Sequence, residues 1–208
     1  AIVIGATILV IAGLYITGQN GPFEETFRRS LFQVVTIITS TGYTGDDYVA
    51  WGPFFTTIFL LLMFFGACAG STAGGAKIDR LVVLAKNTRN EFYRAIHPSA
   101  ILPVCVNKRV VSHEIVSKIL AFILVYVMIL IAGTIILSAL GLTFEESFGS
   151  TLSCLSNVGP GAGATGPAGS YAFIPDLGKW TLSFIMLIGR LELFTILILF
   201  TSYFWKNS

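Results

Sequence analysis

Apolar runs alternate with polar, glycine-containing connections along the whole chain. Four runs stand out, at residues 2–16, 54–69, 119–140 and 180–204. Because a helix needs about 17–25 residues to cross ~30 Å of hydrocarbon, the third and fourth runs are long enough to span a bilayer, and the second is long enough only with its flanks. The first run begins with Ala1 and not with Met, so we expect a span whose start lies upstream in a longer chain. The pattern predicts a helical membrane protein.

Two connections between the runs, at 18–52 and 141–179, are too long for simple turns. Each contains a short apolar stretch, at 31–38 and 148–155, that is too short to span a bilayer. Stretches of this length are typical of re-entrant helices. We therefore expect each connection to dip into the membrane between two spans.

The two connections resemble copies of one unit. Aligning Ser30 with Ser147 also aligns Thr36 with Ser153, Thr39 with Ser156, Ser40 with Asn157 and Gly42 with Gly159. Each copy has a matching acidic stretch, FEETF or FEESF, and the following spans share MFFG and MLIG. The repeated unit is a span, a short pore helix, a filter-like strand and a span. We expect one repeat at 1–77, a basic linker at 78–114 and a second repeat at 115–208.

The glycine-containing stretches at 39–45 and 156–161 cannot continue a helix. Non-helical backbone at membrane depth must be buried in protein or line a water-filled cavity, because lipid offers no hydrogen-bond partners. A ring of backbone carbonyls can replace the hydration shell of an ion, and glycine reaches the backbone angles that such a strand requires. The alternative is a pair of glycine-rich extracellular turns. Two matched stretches favour the ion filter.

Charge separates the two sides of the predicted membrane protein. Only 12% of the residues are charged, against about 25% in an average soluble domain. The segment between the second and third runs, which includes a helix-like stretch at 78–96, holds eight basic residues against three acidic ones: Lys77, Arg80, Lys86, Arg89, Arg94, Lys108, Arg109 and Lys118, against Asp79, Glu91 and Glu114. Since cytoplasmic loops collect Lys and Arg, we expect this linker and the C-terminus to be cytoplasmic.

The loops on the opposite side are acidic on balance, and such a mouth concentrates cations. The alternative is that these are ordinary solvated loop charges. The three cysteines and two histidines have neither metal-ligand spacing nor a nucleophile and base arrangement, so no enzyme chemistry is predicted.

Three motifs resemble the third and fourth repeats of the Trk/Ktr/HKT superfamily of potassium transporters. They are TSTGYTG at 39–45, SNVGPG at 156–161 and MLIGRLELF at 186–194. The resemblance implies four repeats around one pore, each supplying one filter glycine. Residues matching the filter are Thr39, Ser40, Thr41, Gly42 and Tyr43 in one repeat, and Ser156, Asn157, Val158, Gly159 and Pro160 in the other. Serine at the glycine position goes with sodium transport in this superfamily, so Gly42 and Gly159 favour potassium. Two repeats cannot close a four-fold ring, so either the natural chain is longer or two chains meet around the axis.

The second span ends in a run of small residues, GACAGSTAGGAK at 66–77. Each glycine costs a helix about 1 kcal/mol relative to alanine, so the run is a poor helix. Its spacing excludes a nucleotide-binding P-loop. One interpretation is close helix packing. The resemblance implies instead an intramembrane loop below the filter that acts as a gate, with Gly70, Gly74 and Gly75 as its pliable points.

Arg190 lies well inside the fourth run, where a charge costs ~2.5–3.5 kcal/mol at the bilayer centre. One interpretation is that Arg190 pairs with loop carbonyls or a carboxylate for stability. The resemblance matches it to a basic residue that approaches the pore below the filter and limits ion flow.

Together these patterns predict potassium uptake across the cell membrane by a multi-pass protein, with K⁺ as the transported ion and no cofactor. The expected partners are the lipid bilayer, a second copy in a homodimer and, by resemblance, a cytoplasmic nucleotide-binding regulatory subunit; no nucleic acid is expected. Membrane topology alone explains the basic linker better than a dedicated docking surface does.

Two rival functions remain open from the sequence. One is a secondary transporter that binds a small solute or Na⁺ at broken helices, although such transporters often have inverted repeats, whereas both units here start on the same side. The other is a membrane anchor or assembly fragment without transport.

Overall fold

The described part of the chain is almost entirely helical. The computed structural model describes residues 2–19, 21–67, 70–71, 74–97, 103–106 and 109–191. The elements in chain order are α1 (Ile2–Ile16), α2 (Phe23–Ile38), α3 (Pro53–Phe65), α4 (Ile78–Ile96), β1 (Val104–Val106), β2 (Arg109–Val111), α5 (His113–Ala139), α6 (Phe144–Leu155) and α7 (Asp176–Arg190), with short 3₁₀ turns at Gly163–Thr165 and Tyr171–Phe173.

The helices follow the expected repeat of span, pore helix and span. The pore helix α2 packs against α1 and α3, and α6 packs against α5, α7 and α3. Within the described residues, Glu114–Ala139 is long and apolar enough to cross a bilayer, while Ile2–Ile16 and Pro53–Phe65 are shorter apolar helices. The fourth apolar run was expected to form one span, but its helix ends at Arg190. The rest of that run lies outside the described residues.

Both pore helices begin earlier than their apolar stretches indicate. Helix α2 starts at Phe23 and α6 at Phe144, because both acidic stretches are helical. Carboxylates in a first turn interact favourably with the positive end of the helix dipole. In α6 the Thr143 hydroxyl also accepts a hydrogen bond from the Glu146 backbone N–H, and the Glu146 side chain binds back to the backbone N–H of Thr143. This capping box fixes the start of α6.

The linker between the repeats is more structured than expected. Helix α4 covers the residues where a helix was predicted, but the sequence analysis missed the antiparallel pair β1–β2, in which Val104 pairs with Val111. A small apolar cluster of Val83, Val104 and Val116 joins α4, the β-hairpin and α5.

One hydrophobic core includes residues from both repeats. Buried side chains of the first repeat, such as Phe55, Phe59 and Met63, belong to the same cluster as Leu155 and Ile185 of the second. The two segments that follow the pore helices are therefore held in one packed body.

Candidate functional site

The segments that follow the two pore helices have the same backbone conformation. Two residues after the end of each helix, Ser40 has φ 53° and Asn157 has φ 54°. A non-glycine residue with positive φ is uncommon. Two residues later, Gly42 has φ 75° and Gly159 has φ 117°. The alignment of these four residues in the sequence is thus matched by their conformation.

The same hydrogen bonds also recur at the two turns. The Thr41 N–H donates to the Thr36 carbonyl at 2.9 Å, and the Val158 N–H donates to the Ser153 carbonyl at 3.0 Å. These bonds close each pore helix in a turn. The residues predicted for the filter lie in the two segments that begin with these turns, which we call the first filter segment (39–43) and the second filter segment (156–160).

The structure brings the two filter segments into contact. The α-carbon of Gly42 lies so close to the Val158 carbonyl that a Cβ at residue 42 would overlap the carbonyl oxygen. The space around a Cβ at Gly159 is open. Glycine is therefore required at residue 42 for both conformation and space, and at residue 159 for conformation.

The filter residues differ in exposure. Thr39, Thr41 and Tyr43 are exposed, and the hydroxyls of Thr39 and Thr41 lie 2.6 Å apart. Ser156 and Val158 are buried. The first filter segment therefore has polar, exposed side chains, whereas two side chains of the second filter segment are buried.

Three tyrosine hydroxyls that the sequence analysis missed bind the segment that follows α6, at residues 156–161. Tyr126 Oη lies 2.8 Å from Ser156 Oγ, Tyr171 Oη donates to the Gly159 carbonyl at 2.8 Å, and Tyr48 Oη donates to the Gly161 carbonyl at 2.5 Å. Burial raises the pKa of Tyr48 and of Tyr171, so both hydroxyls keep the proton that they donate. Neither periodicity nor motif marks these tyrosines, because each is far from its partner in the chain.

The loop after the first filter segment is held by an ion pair. Arg29 of α2 donates two hydrogen bonds to the Asp46 carboxylate, at 2.7 and 3.0 Å, and Gln33 donates to the Asp46 carbonyl at 2.5 Å. The Arg29 guanidinium also lies 5.7 Å from the Trp51 ring centroid. These contacts fix the direction in which the first filter segment leaves the pore helix.

The predicted gate glycines lie in a loop that folds back beneath the second filter segment. Helix α3 ends at Phe65 and is capped by Gly66, where φ is 63°. The Ala76 N–H returns to donate to the Phe64 carbonyl at 3.1 Å. Gly74 abuts the Ser156 carbonyl so closely that a Cβ there would overlap the oxygen. Gly75 is buried beside Gly66, while Gly70 is exposed with φ 80°. Residues 68, 69, 72 and 73 of this run lie outside the described residues.

Arg190 is the last residue of α7, and its side chain is exposed. A cation at a helix C-terminus interacts favourably with the helix dipole. The preceding Gly189 abuts the Leu155 carbonyl, and the Asn157 amide donates to the Met186 carbonyl at 3.3 Å. The end of α7 therefore touches the second filter segment.

Comparison with known proteins agrees with this arrangement. The family model of TrkH, described as a cation transport protein, matches residues 17–206. The chain belongs to the TrkH family. This match confirms the family that the three motifs indicated. TrkH-family proteins are membrane transport proteins and not enzymes.

Two relatives illustrate the similarity. The chain is 38% identical over 203 residues to the Trk system potassium uptake protein TrkI of Halomonas elongata, covering 96% of this chain and 41% of the relative. It is 35% identical over 203 residues to TrkH of Escherichia coli, covering 97% and 42%. The chain thus spans about two fifths of the length of these TrkH-family relatives.

The fold is that of a solved TrkH protein. The crystal structure of the potassium transporter TrkH from Vibrio parahaemolyticus matches with a TM-score of 0.90 and 31% identity, over 98% of this chain and 43% of that one. The predicted fold class, a helical membrane transporter with pore-like repeats, is confirmed.

Proposed function

We propose that this chain forms two quarters of the lining of a pore that takes up potassium across the cell membrane. The observation that carries the proposal is one turn that occurs twice, with positive φ at Ser40 and Gly42 and again at Asn157 and Gly159, in segments that touch one another. The relatives at 35–38% identity are potassium uptake proteins.

The chemistry proposed for the site is replacement of water by carbonyl oxygens. A cation that enters the filter loses part of its hydration shell, and backbone carbonyls of the two filter segments take the place of the lost water. Potassium is favoured over sodium because both filter glycines are present. The resident chemistry needs no cofactor, and K⁺ is the transported ion.

We further propose that the loop at 66–77 gates this pore. Its contact with the Ser156 carbonyl places Gly74 directly against the second filter segment. A loop with glycines at positive φ, Gly70 and Gly75, can change conformation with little steric cost. Arg190 adds a positive charge next to the residue that contacts the end of α6, where it would oppose cation entry.

Orientation and partners follow from the resemblance and the charges. The basic linker and the C-terminus are proposed to be cytoplasmic. A homodimer and a cytoplasmic nucleotide-binding regulatory subunit are proposed from the superfamily alone. The basic side chains of α4, among them Lys86 and Arg89, would then face the cytoplasm.

Ion flux tests the proposed function. The full-length protein in potassium-loaded proteoliposomes should take up ⁸⁶Rb⁺ faster than ²²Na⁺. The reason is that the filter carbonyls replace the hydration shell of Rb⁺, the larger ion, better than that of Na⁺. Equal uptake of the two ions would contradict potassium selectivity. Uptake that requires a co-transported solute would support a secondary transporter, and no uptake would support an anchoring role.

A further inference from the structure

The segment after α6, at residues 156–161, is held by hydroxyl groups from three different parts of the chain. Tyr126 comes from α5, Tyr171 from a 3₁₀ turn in the following loop, and Tyr48 from the loop of the first repeat. They bind at Ser156, Gly159 and Gly161 respectively; the first two lie in the second filter segment and the third directly after it. The spacing of these anchors covers the second filter segment from its first residue to just beyond its last.

We propose that Tyr48, Tyr126 and Tyr171 are positioning residues for ion selectivity, because their hydroxyls set where the carbonyls of the second filter segment point. This inference rests on the proposed potassium pore. It adds three residues outside the glycine-containing motifs to the set that determines which cation passes.

The Tyr126 anchor is the most enclosed of the three. Tyr126 is 1% exposed and Ser156 is fully buried. The Tyr126 ring is fixed by Phe64, whose centroid lies 5.5 Å away, and by Phe122 at 6.3 Å. Because ring packing already fixes the side chain, its hydroxyl has little freedom and holds the Ser156 side chain in one orientation. The Ser156 carbonyl is the group that Gly74 of the gate loop touches.

The Tyr171 and Tyr48 anchors act on backbone carbonyls. A carbonyl oxygen has two lone pairs, so the Gly159 oxygen can accept from Tyr171 and retain a second lone pair for a cation. The Tyr48 ring packs on Phe59, with centroids 4.8 Å apart, and its hydroxyl crosses from the first repeat to the second. The loop that follows the first filter segment is therefore joined by a direct hydrogen bond to Gly161, the residue after the second filter segment.

The first filter segment is held in another way. Its Thr39 hydroxyl donates back to the Val35 carbonyl of the same helix at 2.7 Å, and the following loop is held by the Arg29–Asp46 ion pair. We therefore expect that removing a tyrosine hydroxyl disturbs the second filter segment more than the first.

The test is removal of each hydroxyl with the ring kept. Tyr48→Phe, Tyr126→Phe and Tyr171→Phe in the full-length protein leave the aromatic packing in place and break one hydrogen bond each. We expect the ratio of ⁸⁶Rb⁺ to ²²Na⁺ uptake to fall by roughly two- to tenfold, since one hydrogen bond is worth about that factor in an equilibrium. Tyr93→Phe is the matched control, because Tyr93 lies half-exposed on α4 with its ring against His97.

A purely structural role makes a different prediction. It would lower the unfolding temperature, or lower the uptake of both ions equally, without changing their ratio. Ser156→Ala should reproduce the effect of Tyr126→Phe, and the double variant should add nothing further, because the two substitutions remove one interaction. An unchanged ratio in all three tyrosine variants, in a protein whose wild type is selective, would overturn the inference alone. A wild type that does not distinguish the ions would overturn the proposed function and this inference together.

Discussion

At the scale of single residues, glycine is required for two separable reasons in this chain. Gly42 has positive φ and also abuts the Val158 carbonyl, whereas Gly159 has positive φ in open space. Gly5 lies in α1 with neither constraint. The three positions therefore separate steric exclusion from backbone strain.

Alanine at these three positions should give a graded effect on stability. Gly42→Ala should destabilise by roughly 2–5 kcal/mol, because a left-handed φ and a steric overlap add. Gly159→Ala should cost about 1–2 kcal/mol from φ alone. Gly5→Ala is the control and should stabilise slightly, since alanine favours the helix. Thermal unfolding in detergent measures this order, and equal effects at residues 42 and 159 would show that the contact with Val158 is not tight in solution.

A second prediction at this scale concerns the charge of Arg190. Arg190→Ala should raise ⁸⁶Rb⁺ uptake severalfold, because a positive charge near the ion path opposes cation entry, and Arg190→Lys, which keeps the charge, should behave like the wild type. Uptake that stays unchanged in a well-folded Arg190→Ala protein would assign the residue to stabilising the end of α7.

At the scale of elements, the loop at 66–77 and the start of α6 each depend on a local contact. The loop lies against the second filter segment through Gly74, and α6 begins with the capping box of Thr143 and Glu146. The first contact bears on the proposed gate and the second on stability.

The gate contact predicts a change in flux when Gly74 is enlarged. Gly74→Ala should raise ⁸⁶Rb⁺ uptake, because the added methyl group overlaps the Ser156 carbonyl and keeps the loop from seating below the filter. Gly5→Ala is the control, because Gly5 lies in α1 and a Cβ there meets open space. If Gly74→Ala lowered uptake while Gly5→Ala did not, the loop would be a support for the filter and not a gate.

The capping box predicts a pH-dependent contribution to stability. The pKa of Glu146 is lowered from its ordinary value of 4.5, chiefly because the Thr143 hydroxyl and then the Thr143 N–H donate to the carboxylate. The stabilisation is therefore fully present above that ordinary value and is lost as pH falls through the lowered pKa. Glu146→Gln should unfold at a lower temperature than the wild type at neutral pH, and the difference should shrink below about pH 4.5.

Thr143→Ala removes the other half of the same cap, including the hydroxyl that donates to the Glu146 carboxylate. It should lower stability by about 0.5–2 kcal/mol, because an orphan N–H of the first helical turn loses its acceptor. A difference between wild type and Glu146→Gln that stayed constant from neutral to acid pH would contradict the role of the ionised carboxylate.

At the scale of the whole molecule, the two repeats share one core. Leu155 at the end of α6 is fully buried in the cluster that also contains Phe55 and Phe59 of α3. Because the cluster is continuous, the repeats are expected to unfold together, although each could be recognised separately in the sequence.

A destabilising substitution in one repeat should therefore lower the stability of the other repeat as well. Leu155→Ala should destabilise by about 2–5 kcal/mol and lower the unfolding midpoint reported by Trp51 in the first repeat as much as that reported by Trp180 in the second. Leu187→Ala is the control, because Leu187 is half-exposed on α7. Fluorescence of single-tryptophan variants provides the measurement. A shift seen only by Trp180 would indicate two independently folding repeats.

Much of the fold was predictable from the sequence because its signals are local. The apolar runs predicted helices α1, α3, α5 and α7, the duplicated motifs predicted two related units, and the helix at 78–96 was found where its composition indicated. The starts of the pore helices were missed, since their first turns are polar and are helical for reasons of capping and dipole. The β-hairpin at 104–111 was missed because its two strands have only three residues each.

The sequence by itself determined the class of protein, the order of its helices and the positions of the two matched glycines, Gly42 and Gly159. These depend on hydrophobicity and backbone preference, which each residue carries with it. Only the tertiary structure decided that Gly42 meets Val158, that Gly74 lies under Ser156, and that Tyr48 binds Gly161. Such contacts join residues far apart in the chain, and they exist because packing of the common core brings the two repeats together.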